Sequence, residues 1–415
     1  MLIKEEAAAS EISTRIKAIQ TGHVPDGYKK TKAGIIPADW EIHPLSQHLS
    51  ESRVPGNNGS VAKKLTVKLW NKGVFEKREV HSGSESTKYY KRKKGQFIYS
   101  KLDFLNCAFG IIPDELDGYE STIDLPCFDI LGVNNYYLLS YITQPEFYTH
   151  YGMLADGGRK ARRVDPEEML SFPLIFPPLP EQQKIAEILS TQDKIIELKE
   201  KLLEQKQEQK KSLMQKLFSP DGATFTLCGV KIDKSGWKKE KLGNICDFLD
   251  SLRKPVKYNK RNNGIYPYYG ASGIIDYVDD YIFDGEYVLL GEDGANIIFR
   301  STPLAFKVSG KMWINNHAHV LKTKDFVNTD FLAYYLESLN YEKYNSGTAQ
   351  PKLNQDVCEK IGVFLPPLPE QQAIAEVLST ADKEIDLLKA EIEQEKLKKK
   401  ALMQLLLTGI VRVKV

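Results

Sequence analysis

The chain has 415 residues, 42% hydrophobic and 27% charged, with a formal net charge of +2 at pH 7. Those proportions belong to an ordinary globular protein, long enough for two or more domains. Near-neutrality confines any nucleic-acid surface to local basic patches. Five scattered cysteines (Cys107, Cys127, Cys228, Cys246, Cys358) form no C-x-x-C pair, which argues against a disulfide framework and a zinc site and for a reducing compartment. No run approaches the ~18 apolar residues of a membrane span, and the acidic start (Lys4-Glu5-Glu6) lacks an apolar signal core. The expected setting is cytoplasmic, with no membrane partner.

In chain order, residues 1–24 read as one helix, from about Ile3 to Gln20, stopped by Gly22 and Pro25 and striped by Ile12, Ile16 and Ile19. From 25 to 176 the grammar is strand and turn: Leu65 to Trp70 and Gln96 to Ser100 are short apolar runs between Gly, Pro, Asn and Ser. Val133 to Tyr148 is more helical, with tyrosines crowding one face.

At 177 begins Pro177-Pro178-Leu179-Pro180-Glu181-Gln182-Gln183, continuing through Ile185-Ala186-Glu187 to Leu213-Met214-Gln215. The same stretch returns at an offset of 189 residues, from Pro366-Pro367-Leu368-Pro369-Glu370-Gln371-Gln372 to Leu402-Met403-Gln404. A gapless match that long is an internal duplication. Pro-rich sequence makes an extended entry, Pro180 and Pro369 suit a first helical turn, and Glu181 and Glu370 sit where the helix dipole favours acids. Neither Pro nor Gly follows until Pro220 and Gly409, so each copy predicts a helix of roughly 36 residues, about 54 Å long. Leu189, Ile196 and Leu203, and likewise Leu378, Ile385 and Ile392, recur at heptad spacing, the mark of a helix-pairing seam.

The block 220–365 repeats the earlier grammar. Ile265 to Tyr269, Tyr287 to Leu290, Ile297 to Phe299 and Ala318 to Leu321 read as strands, and Phe331 to Leu336 as a helix. Trp40 with Leu45 resembles Trp237 with Leu242, and Arg163 falls on Lys352 in the 189 register. The plan is therefore α+β: N-terminal helix 1–24, block 25–176, long helix 177–219, block 220–365, long helix and tail 366–415, with a pseudo-twofold internal repeat.

Basic clusters near Gly, aromatic and amide residues mark what the blocks could read. They are Lys91, Arg92, Lys93 and Lys94; Arg159, Lys160, Arg162 and Arg163; Arg253 and Lys254; and, with polar side chains, Asn296, His317, Thr348, Gln350 and Lys352. Such residues suit phosphates and base edges. A solvated face is the ordinary explanation of charge alone, and the duplicated architecture favours the DNA-facing one. No phosphate-binding glycine loop is present. Gly291 to Asn296 reads as a turn, and His317 with His319 makes only two ligands, too few for a metal. The residues give no ground for an enzyme, and no catalytic or metal-binding residue is expected.

The doubled PPLPEQQ helix, the Tyr268-Tyr269-Gly270-Ala271-Ser272-Gly273 to Gly291-Glu292-Asp293-Gly294-Ala295-Asn296 region, Trp313 to His319, and Leu407 to Val413 resemble type I restriction–modification specificity subunits over nearly the whole chain. That resemblance implies two α/β target-recognition domains, each reading half of a split duplex-DNA sequence. It implies two long helices, paired as an antiparallel coiled coil, that act as ruler and docking surface. It also implies two methyltransferase subunits bringing S-adenosylmethionine, and two restriction subunits bringing ATP and magnesium, with no cofactor in this chain. The alternatives are a specificity chain of a two-subunit or fused restriction–methylation system, or a helical scaffold that binds no DNA.

Overall fold

The computed structural model describes residues 2–78, 84–154, 162–219, 224–347 and 350–414, with side chains from Ser10 onward. The chain divides into two compact units, Met1–Leu198 with Glu393–Val415, and Lys199–Ile392.

The first unit is built on a four-stranded antiparallel sheet in the order Phe109–Ile111, Phe97–Tyr99, Cys127–Ile130, Leu49–Glu51. All three residues of Phe97–Tyr99 are buried, so this strand is apolar without alternation. Phe97, Tyr99, Phe104, Phe109 and Phe128 fill one face: the Phe104 and Phe109 rings meet edge-on at 4.9 Å, and Tyr99 stacks on Phe128 at 6.0 Å. Ile98, pointing the other way, joins Leu65, Val67 and Val74 in a second cluster.

The second unit holds a six-stranded sheet in the order Cys246–Phe248, Ala318–Thr323, Phe283–Gly291, Ala305–Ile314, Asn263–Gly270, Gly273–Val278. Its neighbours are antiparallel except Ala305–Ile314 with Asn263–Gly270. Helix Thr329–Ser338 covers it with Phe331, Leu332 and Leu336 buried. In both units the strand entering the PPLP segment pairs antiparallel with the strand that opens the block: Pro173–Phe176 with Glu41–Pro44, and Gly362–Leu365 with Lys238–Lys241.

The PPLP segments lead into helices Leu179–Phe218 and Leu368–Leu407, 40 residues each, about 60 Å long. They run antiparallel. Within the second unit, partners rise on one helix as they fall on the other: Lys199–Glu391 at 3.1 Å, Lys206–Glu384 at 2.8 Å, then Lys210–Asp382. Within the first, Gln192 donates to Glu395 at 2.6 Å and Lys399 meets Asp193 at 2.5 Å. The Asp193–Lys399 and Asp382–Lys210 pairs are copies of one another in the 189 register. Leu189, Ile196, Leu378, Ile385 and Ile392 are buried and Leu203 is half-buried. The fold is α+β on an antiparallel coiled coil.

Local departures from the sequence reading have local causes. The helix expected over Val133 to Tyr148 is two, Asn135–Ile142 and Pro145–Leu154, because Pro145 cannot continue the first and suits the start of the second. The strand expected from Leu65 to Trp70 ends at Val67, since Trp70 and Asn71 adopt φ of 60° and 52°. Ile297 to Phe299 is helical, not extended: the Asn296 side chain ties to Thr302 N and O at 3.0 Å, and Arg300 turns the chain at φ 50°.

Leu189 and Leu378 occupy the same repeat position and are fully buried, whereas Leu198 and Leu387, another equivalent pair, are exposed. Leu189→Ala or Leu378→Ala should each lower stability by about 2–5 kcal/mol. Leu198→Ala and Leu387→Ala should stay within about 0.5 kcal/mol of the parent, all read by urea denaturation.

Candidate nucleic-acid interface

The first turn of each long helix is where a block is fastened. Glu181 is buried, and a buried carboxylate needs donors. Its Oε2 accepts the Trp40 indole N–H at 3.0 Å, and Arg412 donates to both oxygens at 2.7 Å while forking onto Asp39 at 2.9 and 2.8 Å. The hydrogen bond from Arg412 holds the Asp39 carboxyl below its usual range. Gln182 accepts from Asn134 N at 3.0 Å and donates to Pro177 O at 2.9 Å. Asn134 in turn caps helix Asn135–Ile142 through Tyr136 N and Tyr137 N. Three turns on, Asp193 accepts the Tyr136 hydroxyl.

The second unit repeats the scheme. Glu370 accepts from Trp237 Nε1 at 2.9 Å, Gln371 accepts from Asn328 N and donates to Pro366 O at 2.8 Å each, and Asn328 caps helix Thr329–Ser338. Asp382 accepts from Tyr334 Oη at 2.7 Å. The sequence reading saw Glu181 and Glu370 only as dipole partners. The missed signal was that Trp40 and Trp237 recur along with them.

The second unit also brings together the Gly291–Asn296 turn, His317 in the turn before strand Ala318–Thr323, His319 on that strand, and Lys352. Arg253 donates to Glu292 Oε2 and Ala318 O at 2.7 Å and lies 3.3 Å from Asp250. Lys352 Nζ reaches Glu292 at 3.3 Å, and His317 Nδ1 reaches Asp293 at 2.9 Å. Asp250 supplies the third ligand type that spacing did not reveal: it lies with Glu292 and His319 in a cluster compact enough for an ion. His319, however, faces acceptors on both sides, Asp250 Oδ2 at 2.5 Å and Leu353 O at 2.8 Å. Both ring nitrogens must then donate, which makes the ring an imidazolium with no lone pair for a metal. Arg253 and His319 answer the two carboxylates, so the cluster is a closed ion network.

The predicted contact residues separate accordingly. Arg92 is buried, donating to Ser121 Oγ at 2.8 Å, Ser52 O at 2.6 Å and Leu125 O at 3.2 Å. It braces the fold from within, unlike the exposed cations beside it in the sequence. Arg253 is likewise engaged inside the ion network, and Asn296 is spent on the turn at Thr302. Lys91, Lys93, Lys94, Arg163, Lys254, His317, Gln350 and Lys352 are exposed, and Arg162 is half-buried with a bond to Met153 O. Lys94 and Arg163 make only open ion pairs, with Asp114 at 3.4 Å and Asp124 at 3.7 Å, of the kind worth little in water. Arg159, Lys160 and Thr348 lie outside the described residues.

Burial pulls the His319 imidazole down, but the hydrogen bonds with Asp250 and Cys358 outweigh it and carry the group up to about 10. The folded state therefore holds this proton more tightly than the unfolded chain, whose imidazole releases it near pH 6.5. The stabilisation is complete below about 6.5 and disappears as pH rises through about 10. The Tm of the parent should fall across that window, while that of His319→Gln, lower at the start, should stay comparatively flat.

A profile of the family described as the type I restriction modification DNA specificity domain matches residues 129–206 and 234–396, more than half of the chain. The chain is 26% identical over 424 residues to a protein of Methanocaldococcus jannaschii, provisionally named the type I restriction enzyme MjaX specificity subunit, covering 94% of this chain and 97% of that one. It is 37% identical over 142 residues to a Haemophilus influenzae protein, provisionally named the specificity subunit S.HindORF215P, covering 34% of this chain and only 36% of that relative. The crystal structure of a type I restriction–modification system S subunit from M. genitalium superposes with a TM-score of 0.56 at 14% identity, over 91% of this chain and 96% of that one, and so shares the fold. With its doubled helix, its two similarly fastened blocks and these matches, the chain belongs to the type I restriction–modification specificity subunits.

Proposed function

We propose that this chain confers DNA sequence specificity on a type I restriction–modification complex and catalyses nothing by itself. Each block reads one half of a bipartite duplex target; the paired helices set the spacer between the halves and dock two methyltransferase subunits. S-adenosylmethionine enters with those subunits, and ATP and magnesium with two restriction subunits. The observation that carries this reading is the repeated fastening: Glu181, Gln182 and Asp193 hold one block as Glu370, Gln371 and Asp382 hold the other. Blocks of different sheet composition on one repeated frame suit two readers of different half-sequences. The exposed leucines Leu198 and Leu387, equivalent in the repeat, are apolar positions that a docked subunit would cover.

Co-expression with the methyltransferase subunits in a methylation-free host, followed by methyladenine mapping, should give a split motif with one methylated adenine in each half. A contiguous motif would overturn the two-reader reading. Leu198→Asp with Leu387→Asp should leave the Tm unchanged but strip methyltransferase from the complex, read by native mass spectrometry. One heptad inserted in each helix at the level of the Lys199–Glu391 pair keeps the seam in phase and adds about 10 Å. The mapped motif should keep its half-sequences and gain up to roughly three base pairs of spacer, at 3.4 Å each.

A further inference from the structure

One basic and exposed element of the first unit was not among the clusters singled out from the sequence. Strands Leu65–Val67 and Val74–Glu76 form a two-stranded antiparallel hairpin. Leu65, Val67 and Val74 anchor its inner face in a core with Ile98, Ala108 and Ile112. Between 63 and 78, Lys63, Lys68, Lys72, Lys77 and Arg78 are exposed, and Glu76 is the only acid. The ammonium of Lys68 sits 4.4 Å over the exposed Phe75 ring on the outer face.

The tip carries Trp70, 58% exposed. It is held there by an uncommon backbone: Trp70 and the next residue, Asn71, both take left-handed φ, 60° and 52°. Asn tolerates that region, whereas a bulky aromatic there is an outlier that its surroundings must enforce. They do so through Trp70 N to Asn106 O and Asn71 N to Cys107 O, each 2.8 Å, with Cys107 itself at φ 53°. A large apolar ring is thus presented to solvent on a rigid, strongly basic ribbon.

We propose that this hairpin is a DNA-contacting ribbon of the first unit and that Trp70 is a specificity-determining side chain for the half-site which that unit reads. The inference rests on the function proposed above and names a surface for it. The exposed cations Lys63, Lys68, Lys72 and Arg78 on one short ribbon suit a polyanion and poorly suit an ordinary protein face. The major groove admits a two-stranded ribbon, and an apolar side chain there can distinguish a thymine methyl; the lysines that flank the two strands would meet the neighbouring phosphates.

The test exploits the backbone. Glycine adopts φ near +60° freely, so Trp70→Gly removes the ring and relieves the strain together. In the full complex with methyltransferase subunits, this variant should keep or raise the Tm. Its methylation map should lose definition at one half-site only, with preference for the cognate half over a scrambled one falling roughly tenfold or more, the size of one lost base contact. Lys68→Ala with Lys72→Ala, both at exposed side chains, should instead weaken cognate and scrambled duplexes alike and reduce the salt slope by about two units. This second variant keeps the test open should the first lose its fold. A wild-type complex that methylates no split motif overturns the proposed function and the ribbon together. A split motif that Trp70→Gly leaves intact, at parental DNA affinity, overturns the ribbon alone. Loss of methyltransferase from the complex with DNA affinity unchanged would assign the ribbon to a protein partner, which also overturns it.

Discussion

The structure depends on two buried carboxylates, Glu181 and Glu370, at the first turns of the long helices. Desolvating a carboxylate costs several kcal/mol unless donors meet it, and the indole N–H groups of Trp40 and Trp237 are supplied by the opening residues of the blocks. A long helix therefore cannot begin in its native place without its block, nor can the block seat without the helix. The adjacent glutamines extend the coupling by holding the caps of the short helices that start at Asn135 and Thr329. Asp193 and Asp382 repeat it 12 residues further along each helix, about 18 Å from the first fastening. Two attachments that far apart fix an angle as well as a position.

What could be read from the chain divides along the same physical line. The long helices were legible because their evidence is local and periodic: a proline entry, an acid in the first turn, heptad leucines and isoleucines, and a second copy in register. Strands such as Tyr287 to Leu290 were legible for the same reason. The fastenings were not, because Trp40 and Glu181 meet across 141 residues and only the recurrence of both types hinted at the bond. The turn at Trp70 was also hidden. Tryptophan favours strands, and the carbonyls of Asn106 and Cys107 that impose its left-handed backbone come from another part of the chain.

Charge was the least legible feature. Arg92 and Lys91 are neighbours in one basic run, yet one is buried with three internal acceptors and the other lies in water. Arginine's rigid fork suits several fixed carbonyl and carboxylate partners, while lysine is a point charge on a flexible stem. Arg253 follows the same rule, filling the space between Asp250 and Glu292. A run of basic residues therefore overstates the cations free to meet a partner, and its arginines are the first to question.

That distinction bears on how the two units can differ while their frame stays the same. The fastening uses backbone caps, indole N–H groups and carboxylates close to the long helices, and nothing in it involves the strands remote from them. The first unit carries its four-stranded sheet and separate Leu65–Val67 hairpin on this base; the second carries a six-stranded sheet and the Asp250–Glu292–His319 network. Substitutions at exposed positions such as Lys68, Lys72 or Lys254 alter no bond of the fastening, whereas Trp40, Glu181 and Asn134 cannot change without leaving a buried partner unsatisfied. Exposed positions free to change on a fixed mount are thus a physical consequence of where the buried polar groups lie, and the helix positions that hold half of every fastening are among those with least room to change.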